Sequence, residues 1–409
     1  MTYPSDDVRT TVRDEIKGNK TLVEGLREFA SLGAGFYAGY GNLGDALIAL
    51  GTLDLFRDLG CDFPRIKGRE QATLSGYTHV VMGGGGGWVK GLWETYLDLT
   101  LSFLREGGRL IILPSTFSSF GSEFVPYADQ ITMFCREEES YRQLITQGMP
   151  EDRVFLCHDL AFYCDPAHFS GLDMSERYPD IGIFRNDEER LLKNRDRASV
   201  DLSLLINDIQ WMDEAQCAEP LRAVAGLIGQ FDHVHTDRLH MAVLSTLLGR
   251  TVDVRPGIYF KNRAVFDYTL HRFPNVTFQE EETDYTPSEQ GLRFSNQLLR
   301  ETVRRLNAEQ QAEREHTGSI LRRNDALLKR NDALLKRVET LQVELEREKQ
   351  TVRVDEQKEA HIHALSAVVE EMRSSWFHQL SKRYYALFRI PVLGKVLHGL
   401  RGMMGRKHP

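Results

Sequence analysis

The chain of 409 residues has five cysteines, Cys61, Cys135, Cys157, Cys164 and Cys217, and no CxxC pair among them. That spacing excludes a zinc ribbon or a disulfide framework and reads as reduced thiols in a cytosolic protein. No apolar run is long enough to span a membrane. Residues 1–20 are polar and charged and hold no apolar signal core. Positive charge is short as well: 51 Lys and Arg against 59 Asp and Glu give a formal net charge of -8, which argues against general nucleic-acid binding. The shortage is uneven. From Arg373 onward there are eight Lys or Arg and no Asp or Glu, so the rest of the chain carries -16 and the whole chain -8. With 41% hydrophobic and 27% charged residues, the composition suits two globular domains plus extensions.

What is present alternates strand and helix. Residues 1–33 read as a short helix leading into Ala34–Tyr40, a strand. Gly41-Asn-Leu-Gly-Asp45 is a tight turn, and Ala46–Leu59 is an apolar helix closed by Gly60. The turn lacks the GxGxxG spacing of a dinucleotide site. A second strand, Thr78–Met82, runs into five consecutive glycines, Gly83–Gly87, and then Trp88. Glycines at the carboxyl end of a strand let backbone N–H groups approach a ligand, so the run is expected to be a ligand-facing loop. Trp88 and Trp93 offer ring faces for a sugar or fill a core. Helix Glu94–Arg105 and strands Arg109–Pro114, Ile131–Arg136 and Val154–His158 complete a doubly wound α/β domain, residues 1–165. A second α/β domain, 166–290, opens with the strand Asp180–Arg185 after a linker. It continues through a short strand at Leu202–Ile206, a helix from Asp213 to Gln230, and a last strand at Asn275–Phe278.

The densest chemistry lies in Phe231–Gly249. Its first half holds His, Asp and Arg. Its second half is apolar and stops at Gly249, as expected of a buried helix that starts near Thr236 or Asp237 with Thr236 as N-cap. Such a start brings Asp237, Arg238 and His240 to the edge of a core, beside backbone N–H groups suited to an anion. Asp237 and His240, three apart, would share a helix face and interact. A structural reading stands beside this one, in which Asp237 caps, Arg238 pairs with it and His240 is merely satisfied.

Beyond residue 295 the pattern changes. Asn324-Asp-Ala-Leu-Leu-Lys-Arg330 repeats at once as residues 331–337. Ile320, Leu327, Leu334 and Leu341 share one heptad position, and Asn324, Asn331, Val338 and Leu345 share another. That spacing fits a parallel dimeric coiled coil over 295–370. Residues 371–409 mix aromatic and aliphatic residues with the unbalanced basic ones, as an amphipathic tail for an anionic membrane would. A solvated single helix and a docking helix for an acidic partner are the milder alternatives.

Over roughly residues 33–280 the chain resembles the polysaccharide pyruvyl transferase family. The resemblance rests on Gly41-Asn-Leu-Gly-Asp45, Gly83–Gly87, Arg185 after the first strand of the second domain, and Arg238-Leu239-His240. It implies a GT-B-like fold, two Rossmann-like domains facing each other, here followed by the coiled coil and basic tail. It also implies transfer of the enolpyruvyl group of phosphoenolpyruvate to a sugar, with closure to a pyruvate ketal and no cofactor. Arg185, Arg238, Leu239 and His240 match the family's donor-binding positions, with Lys261 and Arg263 further candidates nearby. Asn42, Gly44, Asp45, Gly84, Gly85, Gly86 and Trp88 are expected on the acceptor side. His240, tuned by Asp237, is the expected acid or base, with Asp45 opposite it. The chemistry requires no metal, and no residue spacing demands a ligand set. The expected partners are phosphoenolpyruvate, a glycan or lipid-linked sugar, a second copy of the chain and an anionic membrane surface, at the cytoplasmic face. A nucleotide-sugar glycosyltransferase on the same type of fold, and an assembly factor working through its coiled coil, are the competing readings.

Overall fold

The computed structural model describes residues 4–280 apart from 69–70, 95, 173, 175–176, 188, 190 and 192–200. Beyond 280 it describes 288–289, 293, 297, 329, 333, 336–344, 347 and 361–371. Residues Met1–Arg305 form one compact unit and Leu306–Pro409 another.

Two helices, α1 (Pro4–Gly18) and α2 (Lys20–Ser31), precede the first strand where one was expected. Asn19 separates them: its side chain accepts the Leu22 N–H as the N-cap of α2. There follow β1 (Gly35–Tyr37), β2 (Tyr40–Gly41), α3 (Leu43–Leu59), β3 (His79–Met82), β4 (Gly85–Val89), α4 (Leu97–Arg105), β5 (Arg109–Ser118) and α5 (Gly121–Phe124). Then come β6 (Ile131–Cys135), α6 (Glu138–Thr146), β7 (Val154–Leu156), β8 (Tyr178–Ile183), β9 (Ile209–Gln210) and α7 (Glu214–Ile228). The last are β10 (Phe231–Thr236), α8 (Leu239–Leu247), β11 (Thr251–Val254), α9 (Lys261–Tyr268) and β12 (Val276–Phe278).

The strands form two parallel sheets. One has the order β1-β3-β5-β6-β7, with β4 also paired to β5 beyond the end of β3. The other has the order β12-β11-β10-β8. Strands covered on both faces read as unbroken apolar runs, and Leu110–Leu113 of β5 is buried throughout. Between the sheets runs α3, buried on nearly every side, which packs on both α7 and α8. A helix that is apolar all round belongs inside a protein, and this one ties the two halves into a single core. The antiparallel pair β2–β9 adds a second link between them.

Leu202–Leu205, expected as a strand, is a short 3-10 helix. Of the expected heptad residues, Ile320, Leu327, Leu334, Asn324, Asn331 and Leu345 lie outside the described residues, as does the tail after Glu371. Residues 336–344 and 361–371 are helical, and Val338 and Leu341 are half-buried. No described helix is long and apolar enough to cross a membrane.

Candidate active site

The carboxyl ends of the two sheets enclose a cavity of about 410 Å³, and both halves of the sequence line it. From the first half come Gly39–Asn42, Gly44, Asp45, the glycine run, Trp93, Tyr96 and Arg136. From the second come Arg185, Asp187, Glu189, Arg238, Leu239, His240 and Lys261.

The turn Gly41–Asp45 is a capping box. Asn42 caps α3 by accepting the Gly44 N–H at 2.7 Å, and Asp45 Oδ2 accepts the Asn42 N–H at 2.8 Å. The expected acceptor residues Asn42 and Asp45 therefore have a structural task, and Asp45 retains its Oδ1. Burial raises the pKa of the Asp45 carboxyl, while the attraction of His240 and the Asn42 N–H pull it back. A Cβ at Gly44 would stand 2.9 Å from His240 Nδ1, so glycine there lets the first half of the chain close on the second.

The glycine run lines the cavity as expected, but it is a strand from Gly85 onward rather than a loop. Close packing sets part of its composition: a Cβ at Gly84 would meet the Pro114 carbonyl oxygen at 2.5 Å. Trp88, expected at the acceptor, is buried within an aromatic cluster of Tyr96, Phe117, Phe120 and Phe124 and does not line the cavity. The side chains of β4 alternate across the sheet, which turns Trp88 into the core. Trp93 is the indole on the cavity wall, and its Nε1 donates to Glu189 at 2.7 Å.

In the second half, β10 runs to Thr236 and α8 starts later than expected, at Leu239. Thr236 ends the strand instead of capping the helix: its hydroxyl donates to the Ile183 carbonyl and accepts the Arg238 N–H. Arg238 occupies the N-cap position, and the helix ends with Gly249 at φ +70° just past its last turn, as expected. This shift separates Asp237 from His240. Asp237 Oδ1 accepts the backbone N–H of Arg185 at 2.7 Å, so it fixes the neighbouring strand end and does not tune the histidine.

The carboxylate on His240 is Asp159, in the loop after β7. Its Oδ2 lies 3.2 Å from His240 Nε2 and 2.7 Å from Arg136 Nη1, and Arg136 Nη1 is 3.4 Å from the same imidazole nitrogen. Arg136 also donates to Thr116 at 2.9 Å. Burial pushes the Asp159 carboxyl up, but His240 and Arg136 outweigh it and hold the group well below the usual carboxylate range. With Nε2 engaged, Nδ1 is the imidazole nitrogen beside Gly44. Arg136 and Asp159 both follow strands at their carboxyl ends, and that position was the available signal for them.

Arg185, Arg238 and Lys261 converge, and each already faces acids of its own chain. Arg185 pairs with Asp187 and Glu189, both at 2.9 Å; Arg238 pairs with Asp187 at 2.7 Å and with Asp201; Lys261 pairs with Glu189 at 2.7 Å. Burial raises the carboxyl pKa values of Asp187 and Glu189, but the adjacent cations bring both below normal. Arg238 therefore pairs with Asp187 and Asp201 rather than with Asp237. Arg263 faces away from the cavity, bound to Asp267 and Glu280 on the surface.

Asp237 has the opposite balance. Burial pushes its carboxyl up to about 6 against the Arg185 N–H and the charges of Arg185 and Arg238. An acid with a raised folded-state pKa carries its cost while ionised, above about pH 6, and is relieved of it as the pH falls toward the unfolded value near 4. Asp237→Asn is therefore expected to be more stable than the wild type near pH 8, by on the order of 1–3 kcal/mol, and to lose that lead near pH 4. Thermal melts of both proteins across this range check it; a lead that does not change with pH would contradict the assignment.

Known proteins bear on this geometry. The family model described as polysaccharide pyruvyl transferase matches residues 42–252, more than half of the chain. That stretch runs from the N-cap of α3 to β11 and includes the glycine run, Arg185, Arg238 and His240. No curated protein matches the chain. Among solved structures, an uncharacterised protein of Klebsiella pneumoniae subsp. pneumoniae is similar, with 27% identity and a TM-score of 0.57 over 65% of this chain and 99% of that one. With both halves of the matched region meeting in one cavity, the chain belongs to the polysaccharide pyruvyl transferase family and is a transferase.

Proposed function

We propose that the protein transfers the enolpyruvyl group of phosphoenolpyruvate to two hydroxyls of one sugar in a glycan precursor, forming a pyruvate ketal. The observation that carries this reading is the convergence of Arg185, Arg238 and Lys261 beside the His240–Asp159–Arg136 group in a single cavity. The donor carries a phosphate and a carboxylate, and two guanidinium groups can each bind one of them in bidentate fashion. In this reading the second sheet serves the donor and the Asn42–Asp45 turn serves the acceptor.

The chemistry balances as follows. Carbon C3 of the donor gains a proton, both sugar oxygens bond to C2, the C2–O bond to phosphate breaks, and phosphate departs with the second of the two hydroxyl protons. His240, held through Nε2 by Asp159, supplies the C3 proton from Nδ1. Asp45, whose raised pKa makes it a better base, receives the proton of the attacking hydroxyl. Trp93 offers a ring face to the sugar.

The direct test is to incubate the protein with phosphoenolpyruvate and lipid-linked sugars and follow phosphate. Release that requires both substrates supports the reading; consumption of a nucleotide sugar in its place would move the protein to glycosyl transfer. Within this reading, Arg238→Lys keeps the charge and loses the fork. Donor affinity, measured by calorimetry, is expected to weaken roughly tenfold to a hundredfold, the scale of one charge-assisted hydrogen bond. An affinity within about twofold of wild type would remove Arg238 from the donor site.

A further inference from the structure

One cluster of ligating side chains lies outside the cavity and plays no part in the chemistry above. Alternate residues of a strand face opposite sides of the sheet, and those of the second sheet divide sharply. On one side Ile181, Ile183, Val234, Val252 and Val254 are buried and apolar. On the other, Asp180 is paired in register with His233, His235 with Asp253, and Asp253 with Thr277. A polar stripe across all four strands is unusual for a parallel sheet, whose faces are ordinarily covered and apolar.

Within this stripe three donors converge. His233 Nε2 lies 3.2 Å and His235 Nδ1 3.0 Å from the same oxygen, Asp253 Oδ2. All three atoms lie within 4.8 Å of one another. The two imidazole rings stack, centroids 4.2 Å apart, and the two nitrogens face the same Asp253 oxygen. The Thr277 hydroxyl donates to Asp253 Oδ1 and turns Oδ2 toward the histidines, the type of outer support that metal-binding carboxylates receive. Asp180 stands next in register but accepts the Ser288 N–H through both oxygens, at 3.3 Å, and is not counted as a ligand.

We propose that His233, His235 and Asp253 bind a divalent transition-metal ion of the zinc type, clipping β10 to β11. Zinc takes imidazole nitrogen and carboxylate oxygen at about 2.0–2.2 Å in tetrahedral geometry, which places neighbouring donors roughly 3.3 Å apart. The two His–Asp separations are already within a few tenths of an ångström of that spacing. Two nitrogens and one oxygen suit zinc or cobalt and do not suit magnesium or calcium, which prefer oxygen ligands throughout. Three protein ligands leave the fourth position to solvent. Among the described residues this is the one such group. His235 stands three residues before Arg238, so a bound ion would brace the strand that delivers Arg238 and His240 to the cavity.

The test uses the full chain, stripped with a chelator, and titrates Zn²⁺ against a chromophoric competitor. The expected result is one saturable site per chain, unaffected by a large excess of Mg²⁺. His235→Gln, His233→Gln and Asp253→Asn are each expected to weaken it about a hundredfold or more, with unchanged circular dichroism. A His361→Gln/His363→Gln variant, removing the other His-x-His pair, is expected to bind as the wild type does. Should the sheet variants fold poorly, Co²⁺ added to the wild type decides the matter, since a tetrahedral nitrogen–oxygen site gives intense visible absorption. No saturable binding, binding that survives His235→Gln with Asp253→Asn, or a Co²⁺ spectrum of the hexaaqua ion would overturn the proposal.

Discussion

His240→Gln is expected to lower turnover on the order of a hundredfold or more, with phosphoenolpyruvate affinity within about twofold of wild type. His240 Nε2 faces Asp159, so the carboxylate orients the ring, while Nδ1 faces the turn that carries Asp45. Glutamine approximates the shape and keeps a hydrogen-bond donor for Asp159, but it cannot move a proton at neutral pH. In the proposed reading donor binding rests on Arg185, Arg238 and Lys261, which the substitution leaves alone. Acceptor-dependent phosphate release gives the turnover and calorimetry gives the affinity. If turnover changes by less than about tenfold, His240 is a positioning group and Asp45 becomes the principal proton carrier.

Arg136→Met is expected to destabilise the fold by about 3–5 kcal/mol, because it leaves the buried Asp159 charge without its cation. Both members of the pair are sealed from solvent, at 1% and 0% side-chain exposure, so water cannot replace the lost partner. In a unit of this size that corresponds to a fall in melting temperature on the order of 10 °C. Removing both charges, as Arg136→Met with Asp159→Leu, is expected to restore part of the loss, since the burial penalty disappears along with the attraction. Recovery would be incomplete because Asp159 Oδ1 also accepts the Ala161 N–H at 2.8 Å. A single variant that melts with the wild type would show that the pair is solvated in solution.

Local patterns were legible in the sequence, and long-range pairings were not. The parallel α/β class, the apolar helix after Gly41–Asp45 and the stop at Gly249 follow from short-range rules of turns, caps and strand ends, while the grouping of Arg185 with Arg238 and His240 came from the family resemblance. Partner choice did not follow. Asp237 stands three residues from His240 and was the natural partner on a helix, but β10 runs to Thr236 and α8 starts only at Leu239, which moved it out of reach. Asp159, the actual partner, is 81 positions away in the chain, at a distance where spacing carries no information. Trp88 failed for a similar reason: the glycine run continues as strand, and strand alternation sent the indole inward. His233 and His235 could be read as a pair, but Asp253 joins them only through the register of β10 with β11.

The acids around Arg185, Arg238 and Lys261 have a consequence for proton traffic. Arg185, Arg238 and Lys261 are matched in number by Asp187, Glu189 and Asp201, so the cluster is close to electroneutral before any substrate arrives. An incoming anion with more than two negative charges cannot simply fill a positive hole there. It must exchange with those carboxylates and leaves the pocket with surplus negative charge. Asp237, whose carboxyl burial pushes up to about 6 and which holds the Arg185 N–H, is a group able to take up a proton in compensation. In the proposed reading, donor binding would then draw protons from the buffer, and its affinity would rise with acidity.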